Sequence, residues 1–579
     1  MNPYCEIFWS VILTMNTIIK TVKSFDNLLK TSILRVCCCL MLFLGSYNSI
    51  AYMTSMPPEP QPVPEEVLPI ISPSVPKPID ETSEQAAIVE NATQNGEADT
   101  FILEDVILDT EFDTSIKELD KVKATYVKHR VSIDDLKRLA KKITYAYRQA
   151  GYLAAVAYVP EQEAQNGVVT IKVISGNFGD VVIDNKSKLD IKVINAIKEN
   201  IRLGNAVEGK HIENVLYRIN ALGGVKATGK LERIKNSGDI RLVITVIDDK
   251  RTRDVVYSEN NGSENTGRYR FGIVHNSYNI DNQGANLEVG VLFSNKNLRN
   301  YHVDFNILSD RKSASRMGVS FGRTTYSLGN EYSSLDAKGT SNDISVYGKS
   351  TLFQSNDNEV NVSYGYRYRK ISDEIGAFKL STDKHSHSVY GEVSGYNRVP
   401  NGVVNYKAKI TAGKLGNDSE YAKYLNTFNR TEGNFLKFNG KVDYLQGLSK
   451  KWQFHTTLSW QIANKSLDSS EKMFLGGFNG VRAYSSGDGS GDKGYLSRTE
   501  LIYQTDVKGL SLNAFFDMGA SGNKSKSLNT MRGYGVGINY SKSNDFFVQL
   551  SYARKIGFNE NVSSDKGKGK IWFLCGKVF

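Results

Sequence analysis

The second half of the chain, from about residue 251 onward, alternates apolar and polar side chains with a period of two residues. Such a period is typical of β-strands, because successive side chains of a strand point to opposite faces of the sheet. The same alternation recurs in residues 287–293, 301–307 and 452–462. In "VNVSYGYRYRKI" one face carries Val360, Val362, Tyr364, Tyr366 and Tyr368, and the other carries Asn361, Ser363, Gly365, Arg367 and Arg369. The pattern predicts a long series of strands, each with one apolar face.

Ahead of these strands, residues 98–176 and 177–250 predict two small units of mixed helix and strand. In the first unit, "SIDDLKRLAKKITYAYRQAGY" predicts a helix between Ser132 and Gly151, because Ser132 can cap its N-terminus and apolar residues recur at helical spacing. Strand-like runs precede and follow this helix. In the second unit the runs "FGDVVIDN", "DIKVINAIKENI", "GKHIENVLYRINAL", "VKATGKLERI" and "DIRLVITVIDDK" predict a strand, two helices and a hairpin.

The N-terminal segment, residues 1–51, has the features of a secretory signal peptide, whether the chain starts at Met1 or at Met15. Lysines precede the apolar run "VCCCLMLFLG", and small residues follow it as at a cleavage site. That run, of about ten residues, is shorter than the roughly twenty that a spanning helix needs. Residues 52–97 hold most of the prolines and predict an extended linker or a plug helix.

Composition narrows the class of protein further. Hydrophobic residues make up 40% of the 579-residue chain and the mean hydropathy is −0.36, which excludes a bundle of membrane helices. The 31 Tyr, 25 Phe and 49 Gly against 12 Pro favour sheet over helix. Only Cys575 lies outside the predicted signal peptide, so no internal disulfide or cysteine-based zinc site is expected. The net charge of +10 contains no lysine or arginine block, which argues against nucleic acid as a partner.

The alternating region, residues 251–579, has room for about sixteen strands if each strand of about ten residues is followed by a turn or loop. The apolar faces could be buried in a soluble sandwich or exposed to lipid. The signal peptide, the aromatic residues and the number of strands favour lipid. A closed cylinder leaves no strand edge unpaired, so it can cross a membrane without apolar helices. We therefore predict a mainly β protein, with a transmembrane antiparallel β-barrel behind two small α+β domains.

Two motifs near the C-terminal end interrupt the strand pattern. The stretch "FLGGFNGVRAYSSGDGSGDKGYLSR", residues 474–498, has too many glycines for a helix and too much charge for a core, which predicts a loop around Arg482. Downstream, "LNAFFDMGASG" places Phe515, Asp517 and Gly519 on one face of a strand. A single arginine or aspartate is most often a solvated surface charge, so neither residue alone indicates a site.

Taken together, these features resemble the two-partner secretion transporters of the haemolysin secretion/activation protein family. The two small units resemble POTRA domains, especially in "NGVVTIKVISGNFGDV". The resemblance implies that the 474–498 loop folds into the barrel lumen, that Asp517 receives Arg482 in a bidentate contact, and that Phe579 ends an insertion signal of outer-membrane barrels. It places Val481, Arg482, Ala483 and Tyr484 at the loop tip, with Ala483 replacing the family's usual glycine, and Phe515, Asp517 and Gly519 on the inner barrel wall.

The function that this resemblance implies is export of a large secreted partner, a haemolysin- or adhesin-like exoprotein, by two-partner (type Vb) secretion. The protein would lie in the bacterial outer membrane with its POTRA domains in the periplasm. These domains would capture the partner by strand addition, and the loop would act as a movable plug without nucleotide hydrolysis. The other expected partners are outer-membrane lipid, periplasmic chaperones and the barrel assembly machinery. We expect a monomer with no cofactor, no metal and no catalytic residue.

Three other functions stay open. An assembly factor for outer-membrane barrels, of the same superfamily, usually carries more POTRA domains, and a passive porin needs neither these domains nor the Arg482 loop. A secreted hydrolase could use Ser490 in a nucleophile elbow, but Asp488 and Asp492 stand where this motif needs glycines. The same stretch, "GDGSGDKG", also lacks the P-loop spacing, so it offers no nucleotide-binding motif. The close pair His385 and His387 could bind a metal, although a solvated loop or a lumenal position explains it more simply.

Overall fold

The computed structural model describes residues 100–113, 115–235, 237–355, 357–523, 527–542, 545–557, 567 and 569–579. The predicted signal peptide, residues 1–51, and the predicted linker, residues 52–97, lie outside the described residues. Within the described part of the chain, no helix combines the length and the apolar character needed to cross a bilayer.

The first small unit packs two helices against a three-stranded sheet with the order β2-β5-β4. Helix α2 begins where the sequence predicts, because the Ser132 side chain accepts a hydrogen bond from the Asp135 amide and the Asp135 carboxylate accepts one from the Ser132 amide. Helix α1 was not predicted, since Leu119 is its only buried residue. The elements are β1 Phe101–Ile102, β2 Asp105–Asp109, α1 Lys117–Ala124, β3 Arg130–Val131, α2 Ile133–Gln149, β4 Val156–Tyr158 and β5 Val168–Ile174.

The second small unit repeats this plan with the sheet order β6-β8-β7, in which β6 and β8 are parallel. Its helices bury an apolar face that includes Ile194 and Ile219 against Leu242 of the sheet. A backbone hydrogen bond from the Leu153 amide to the Val207 carbonyl, at 3.0 Å, helps to join the two units. The elements are β6 Phe178–Lys186, α3 Ile191–Lys198, α4 Gly209–Asn220, β7 Val225–Arg233 and β8 Ile240–Asp248.

The remaining strands form one closed antiparallel barrel of sixteen strands, which confirms the predicted fold class. Closure pairs the last strand with the first through five residue pairs, from Leu574↔Glu259 to Val578↔Val255. The strands are β9 Thr252–Glu259, β10 Arg270–Ser277, β11 Asn286–Ser294, β12 Arg299–Asp310, β13 Ser315–Ser327, β14 Ala337–Gln354, β15 Asn358–Ile375, β16 Leu380–Val399, β17 Gly402–Asn417, β18 Gly433–Gly447, β19 Trp452–Ala463, β20 Lys493–Gln504, β21 Leu510–Gly522, β22 Asn529–Lys542, β23 Phe546–Lys555 and β24 Gly569–Val578.

The two faces of the barrel wall differ in polarity, as the alternation requires. Most outward side chains at every second position are apolar and exposed, and most side chains at the positions between them are polar and point inward. Such a wall can face lipid because its backbone groups are paired along the closed sheet. Exposed apolar side chains on the outer face include Ile273, Val303, Val319, Val346, Val389, Ile410, Phe438, Leu458, Leu501, Leu512, Val536 and Leu550.

The second small unit contacts the short turns at one end of the barrel. The Asn200 side-chain amide donates to the carbonyl of Lys312 at 2.8 Å, and Tyr217 Oη donates to Glu359 Oε2 at 3.1 Å. From the barrel side, Arg316 Nη2 donates to the Leu222 carbonyl at 3.3 Å. This end of the barrel therefore faces the same compartment as the two small units. A further helix that was not predicted, α5 Glu420–Asn429, lies in a loop at the opposite end.

Candidate functional site

The candidate site is the segment between β19 and β20, residues 464–492, which folds back inside the barrel. Strand β20 begins at Lys493, so the last six residues of the predicted loop 474–498 belong to a strand. The turn before the tip requires glycine at two places. Gly477 has a φ of +112°, and a Cβ on Gly480 would lie 1.8 Å from the Leu475 carbonyl oxygen. These glycines let the chain reverse direction and present Arg482 to the wall.

At the tip of this segment, Arg482 makes a bidentate contact with Asp517 on β21. Arg482 Nε donates to Asp517 Oδ2 at 2.8 Å, and Nη2 donates to Oδ1 at 2.6 Å. The Arg482 backbone amide also donates to Oδ2, at 3.1 Å. Both residues are almost inaccessible, at 3% exposed for Arg482 and 0% for Asp517. A charge pair removed from water in this way is stable only when its hydrogen bonds are satisfied.

A second carboxylate, Glu500 on β20, completes the contact and was not identified from the sequence. Arg482 Nη1 donates to Glu500 Oε1 at 2.7 Å, while Asn513 donates to the other oxygen of Glu500 at 2.7 Å. Arg498 lies 3.4 Å from Glu500, so two cations face two anions. The ring of Phe515 covers the guanidinium, with its centroid 3.4 Å from the carbon Cζ. We name Arg482, Asp517 and Glu500 the tip clasp.

The residues around Arg482 are buried against the wall formed by β20 to β24. Val481, Ala483 and Tyr484 are at most 1% exposed and pack in one apolar cluster with Phe515 and Met531. The indole Nε1 of Trp572 donates to the Arg482 carbonyl at 2.6 Å, which ties the tip to the last strand of the barrel. The tip therefore touches strands on both sides of Asp517.

The structure explains how an alanine fits at position 483. Ala483 is not among the residues with a positive φ, so its side chain causes no backbone strain. Gly533 on β22 lies opposite, and a Cβ there would come within 2.5 Å of the Ala483 Cβ. A Cβ on Gly519 would meet the Tyr495 carbonyl oxygen at 2.9 Å and the Leu475 side chain at 3.3 Å. Gly533 and Gly519 thus leave the space that the segment occupies.

A second set of ion pairs holds the start of the segment against the opposite part of the wall. Lys384 Nζ on β16 lies 2.9 Å from Asp468 Oδ2. Lys437 on β18 and Arg369 on β15 lie 2.5 Å and 3.5 Å from the carboxylate of Glu471. Burial alone would raise the pKa of Asp468, but Lys384 outweighs this effect and the pKa is lowered to about 2. We name these five residues the base anchor. No sequence motif indicated it.

The other residues singled out in the sequence lie elsewhere. His385 and His387 lie on the outward face of β16, which corrects the expected loop or lumenal position, because their alternation is that of the exposed Val389. His385 Nδ1 is 2.7 Å from Asp418 Oδ1, and His387 Nδ1 is 2.6 Å from Tyr366 Oη. Among the described residues no group of three or more His, Cys, Asp or Glu side chains has a metal-binding arrangement. Phe579 follows β24, and its amide donates to the Asp254 carbonyl at 2.9 Å.

The geometry restrains the segment at both of its ends. Between the base anchor on β15 to β18 and the tip clasp on β20 and β21, the segment crosses the interior of the barrel. Its buried charges Asp468, Glu471 and Arg482 are matched by charges of the inner wall. The arrangement can hold the segment in a fixed position inside the barrel.

Comparisons with known proteins agree with this architecture. The family model "Haemolysin secretion/activation protein ShlB/FhaC/HecB" matches residues 238–540, more than half of the chain, and the model "POTRA domain, ShlB-type" matches residues 101–176. The chain is 28% identical over 478 residues to the heme/hemopexin transporter protein HuxB of Haemophilus influenzae, covering 80% of this chain and 84% of HuxB.

Solved structures share the fold at low sequence identity. The structure of CdiB from Escherichia coli has a TM-score of 0.63 at 16% identity, over 84% of this chain and 93% of that chain. BamA from Haemophilus ducreyi, lacking POTRA domains 1–3, has a TM-score of 0.51 at 12% identity, over 83% of this chain and 100% of that chain. The likeness to these two structures is one of fold.

Proposed function

The chain belongs to the haemolysin secretion/activation protein family ShlB/FhaC/HecB, and from this premise we propose that its Arg482 segment is a plug that closes the export path until a partner protein passes. It is an outer-membrane transporter that exports a secreted partner protein, with POTRA domains in the periplasm. For the extents of its parts we propose residues 98–176 and 177–250 for the two POTRA domains and residues 251–579 for the barrel.

The observation that carries the plug proposal is the tip clasp. Arg482 and Asp517 are buried charges, and removing charges from water costs several kcal/mol per ion. Apolar contacts could hold a permanent plug without the free-energy cost of burying charges. Buried ionic contacts therefore favour a segment that is held in one specific position and can be displaced. A polypeptide in the lumen has to displace this segment, because the base anchor and the clasp hold it on both sides of the barrel interior.

The energy for export does not require a nucleotide in this proposal. The POTRA sheets have edge strands with unpaired N–H and C=O groups, to which an extended partner segment can add. Folding of the partner outside the cell would then prevent its return. We propose a large secreted exoprotein as the partner, since the family is described as one of haemolysin secretion/activation proteins. Periplasmic chaperones and the barrel assembly machinery would deliver the chain to the membrane, where it acts as a monomer.

An assembly factor for other barrels is the second candidate, because the fold is also similar to that of BamA. The match of the secretion family model to residues 238–540 favours export. Removal of the chain would deplete a secreted protein if it exports a partner, and outer-membrane barrels if it assembles them.

Deletion of the gene, followed by complementation, tests the function directly. We expect one or a few large proteins to disappear from the culture medium and to return with the complementing gene, while the other outer-membrane proteins keep their amounts. General loss of outer-membrane barrels would show an assembly factor. An unchanged medium, together with slower uptake of small solutes, would show a porin.

A further inference from the structure

On strands β13 to β17 the outer wall of the barrel carries basic side chains near the end of its apolar band that is remote from the POTRA domains. Across β13, β14, β15 and β16, the outward-facing residues Arg323, Asn342, Lys370 and His385 are successive Cα partners and form one row. The next row toward the POTRA end consists of Phe321, Ile344, Tyr368, His387 and Lys414. We name Arg323, Lys370, His387 and Lys414 the wall patch. All four side chains are exposed.

On the POTRA side of the wall patch, the outer surface of the barrel is apolar. The following row, one more step toward the POTRA domains, contains Val319, Val346, Tyr366, Val389 and Ala412, with no charged or amide side chain. The side chains of the wall patch therefore lie at the boundary between the apolar, lipid-facing surface of these strands and the more polar surface beyond it. Side chains at such a boundary can leave their aliphatic parts on the apolar surface and place their charges among lipid headgroups.

The position along the strands assigns the wall patch to the outer leaflet. The second POTRA domain contacts the turns before and after these strands, for example through Lys312 and Glu359. Lys370 lies in the half of β15, Asn358–Ile375, that is remote from that contact. Lys414 likewise lies near the end of β17, Gly402–Asn417, remote from the POTRA domains. The POTRA domains are periplasmic, so the patch faces the opposite side.

Neighbouring carboxylates do not neutralise the wall patch. Asp418 is bound to His385 at 2.7 Å, and Asp383 accepts the hydroxyl of Ser372 at 2.6 Å. Within the described residues, Arg323, Lys370 and Lys414 have no carboxylate oxygen within 4.0 Å. The only hydrogen bond of Arg323 to a side chain in this part of the chain is a long one, 3.4 Å, to Asn342 Oδ1.

We propose that the wall patch binds the phosphate groups of a phosphorylated lipid headgroup in the outer leaflet. Arginine and lysine are the usual ligands of phosphate, and several of them at a membrane surface recognise anionic headgroups. The apolar row beneath the patch is continuous with the lipid-facing wall, so one molecule can place its acyl chains on Val389 and Tyr366 and its phosphates on the cations. This site is separate from the lumenal segment and from the exported partner.

Lipid binding by the detergent-purified full chain tests the proposal. The probes are bisphosphorylated lipid A and the same acylated lipid without its phosphates, and the readout is the bound fraction in native mass spectrometry. The variant is Lys370→Gln/Lys414→Gln. Its matched control is Lys450→Gln/Lys508→Gln, which removes the same charge from exposed turns at the periplasmic end. A heat-modifiable band on gels verifies that both variants keep a folded barrel.

We expect the patch variant to bind bisphosphorylated lipid A on the order of ten- to thirtyfold more weakly than the control variant, from the loss of two headgroup contacts. The phosphate-free lipid should bind both variants equally and weakly. Equal affinity of the two variants for lipid A, or equal binding of the two lipids by the unaltered chain, would overturn the proposal. Full competition by inorganic pyrophosphate at the lipid's own concentration would also overturn it, because the site would then be one for free anions.

Discussion

Arg482 is held by more contacts than one ion pair needs. Its guanidinium donates to Asp517 and Glu500, and the ring of Phe515 covers one face of the guanidinium. The Arg482 carbonyl accepts a hydrogen bond from the indole N–H of Trp572. Each contact comes from a barrel strand rather than from the segment itself. The position of Arg482 therefore depends on the relative positions of β20, β21 and β24, and movement of these strands would weaken its contacts.

Substitution of Arg482 or Asp517 in the tip clasp should impair export while leaving assembly of the barrel intact. Arg482→Ala leaves Asp517 and Glu500 buried without their main cation, and Asp517→Asn leaves Arg482 with one carboxylate, at a local cost of about 3–5 kcal/mol. We expect both variants to insert into the outer membrane, shown by heat-modifiable mobility on gels, while the partner in the medium falls at least tenfold.

Two further variants show whether geometry or charge matters at the clasp. Arg482→Lys keeps the charge but cannot form the bidentate contact, so it should give intermediate export. Exchange of the two residues, Arg482→Asp with Asp517→Arg, should recover only part of the activity because Glu500 still faces position 482. Full secretion by both single variants, Arg482→Ala and Asp517→Asn, would refute the role of the clasp.

The contact between Ala483 and Gly533 predicts a compensating pair of substitutions. Gly533→Ala would place two methyl groups 2.5 Å apart, and overpacking of this kind costs about 1–3 kcal/mol. Ala483→Gly removes one of the methyl groups and should restore most of the loss. The temperature at which the purified barrel unfolds in detergent measures both effects. Strictly additive changes in that temperature would contradict the packing described for the tip.

Some residues of the site follow from the sequence and others do not. Arg482, Asp517 and Phe515 lie in motifs of fixed spacing, so a resemblance to a family is enough to pair them. Glu500 has no motif around it, and its role depends on the antiparallel register that puts it opposite Phe515. The base anchor joins Asp468 and Glu471 to strands far away in the sequence, and only closure of the barrel brings them together.

At the scale of elements, the sequence predicts the strands and the capped helix α2 because their apolar residues recur with a clear period of a strand or a helix. Helices α1 and α5 were missed because their apolar faces are weak. The start of β20 at Lys493 was placed too late because the glycine-rich composition continues into the strand. The lumenal segment is an element of a different kind, since its conformation depends on contacts with the wall at both of its ends.

The base anchor predicts that the start of the segment can be loosened separately from its tip. Asp468→Asn with Glu471→Gln leaves Lys384 and Lys437 buried with weaker partners, so the chain from residue 466 to 475 should open more often. Hydrogen exchange followed by mass spectrometry should show faster exchange there. A matched control is Glu420→Gln, which breaks the exposed ion pair with Lys423. Exchange as slow in the double variant as in the control would show that the anchor contributes no restraint.

At the scale of the whole molecule, the protein combines two POTRA domains with a barrel that has its own closed hydrogen-bond network. Contacts at Asn200, Tyr217 and Arg316 connect the second domain to the barrel turns, whereas the first domain is connected to the second. The first domain can therefore be removed without breaking contacts with the barrel wall that the structure describes.

Deletion of residues 98–176 should abolish recovery of the partner from the medium and leave the conductance of the barrel in planar bilayers unchanged. The reason is that this deletion removes a binding surface for the partner but no strand of the barrel. Unchanged secretion would exclude a docking role for the first domain, and loss of conductance would show that the domain supports the barrel itself.

The conductance of single molecules in planar lipid bilayers tests most directly whether the lumenal segment closes a membrane-spanning barrel. The intact chain should show small and flickering currents, and a variant that lacks residues 474–488 should show large and steady currents. Arg482→Ala, which keeps the segment but not the clasp, should switch between the two levels. Equal steady currents from all three proteins would contradict a plugged barrel.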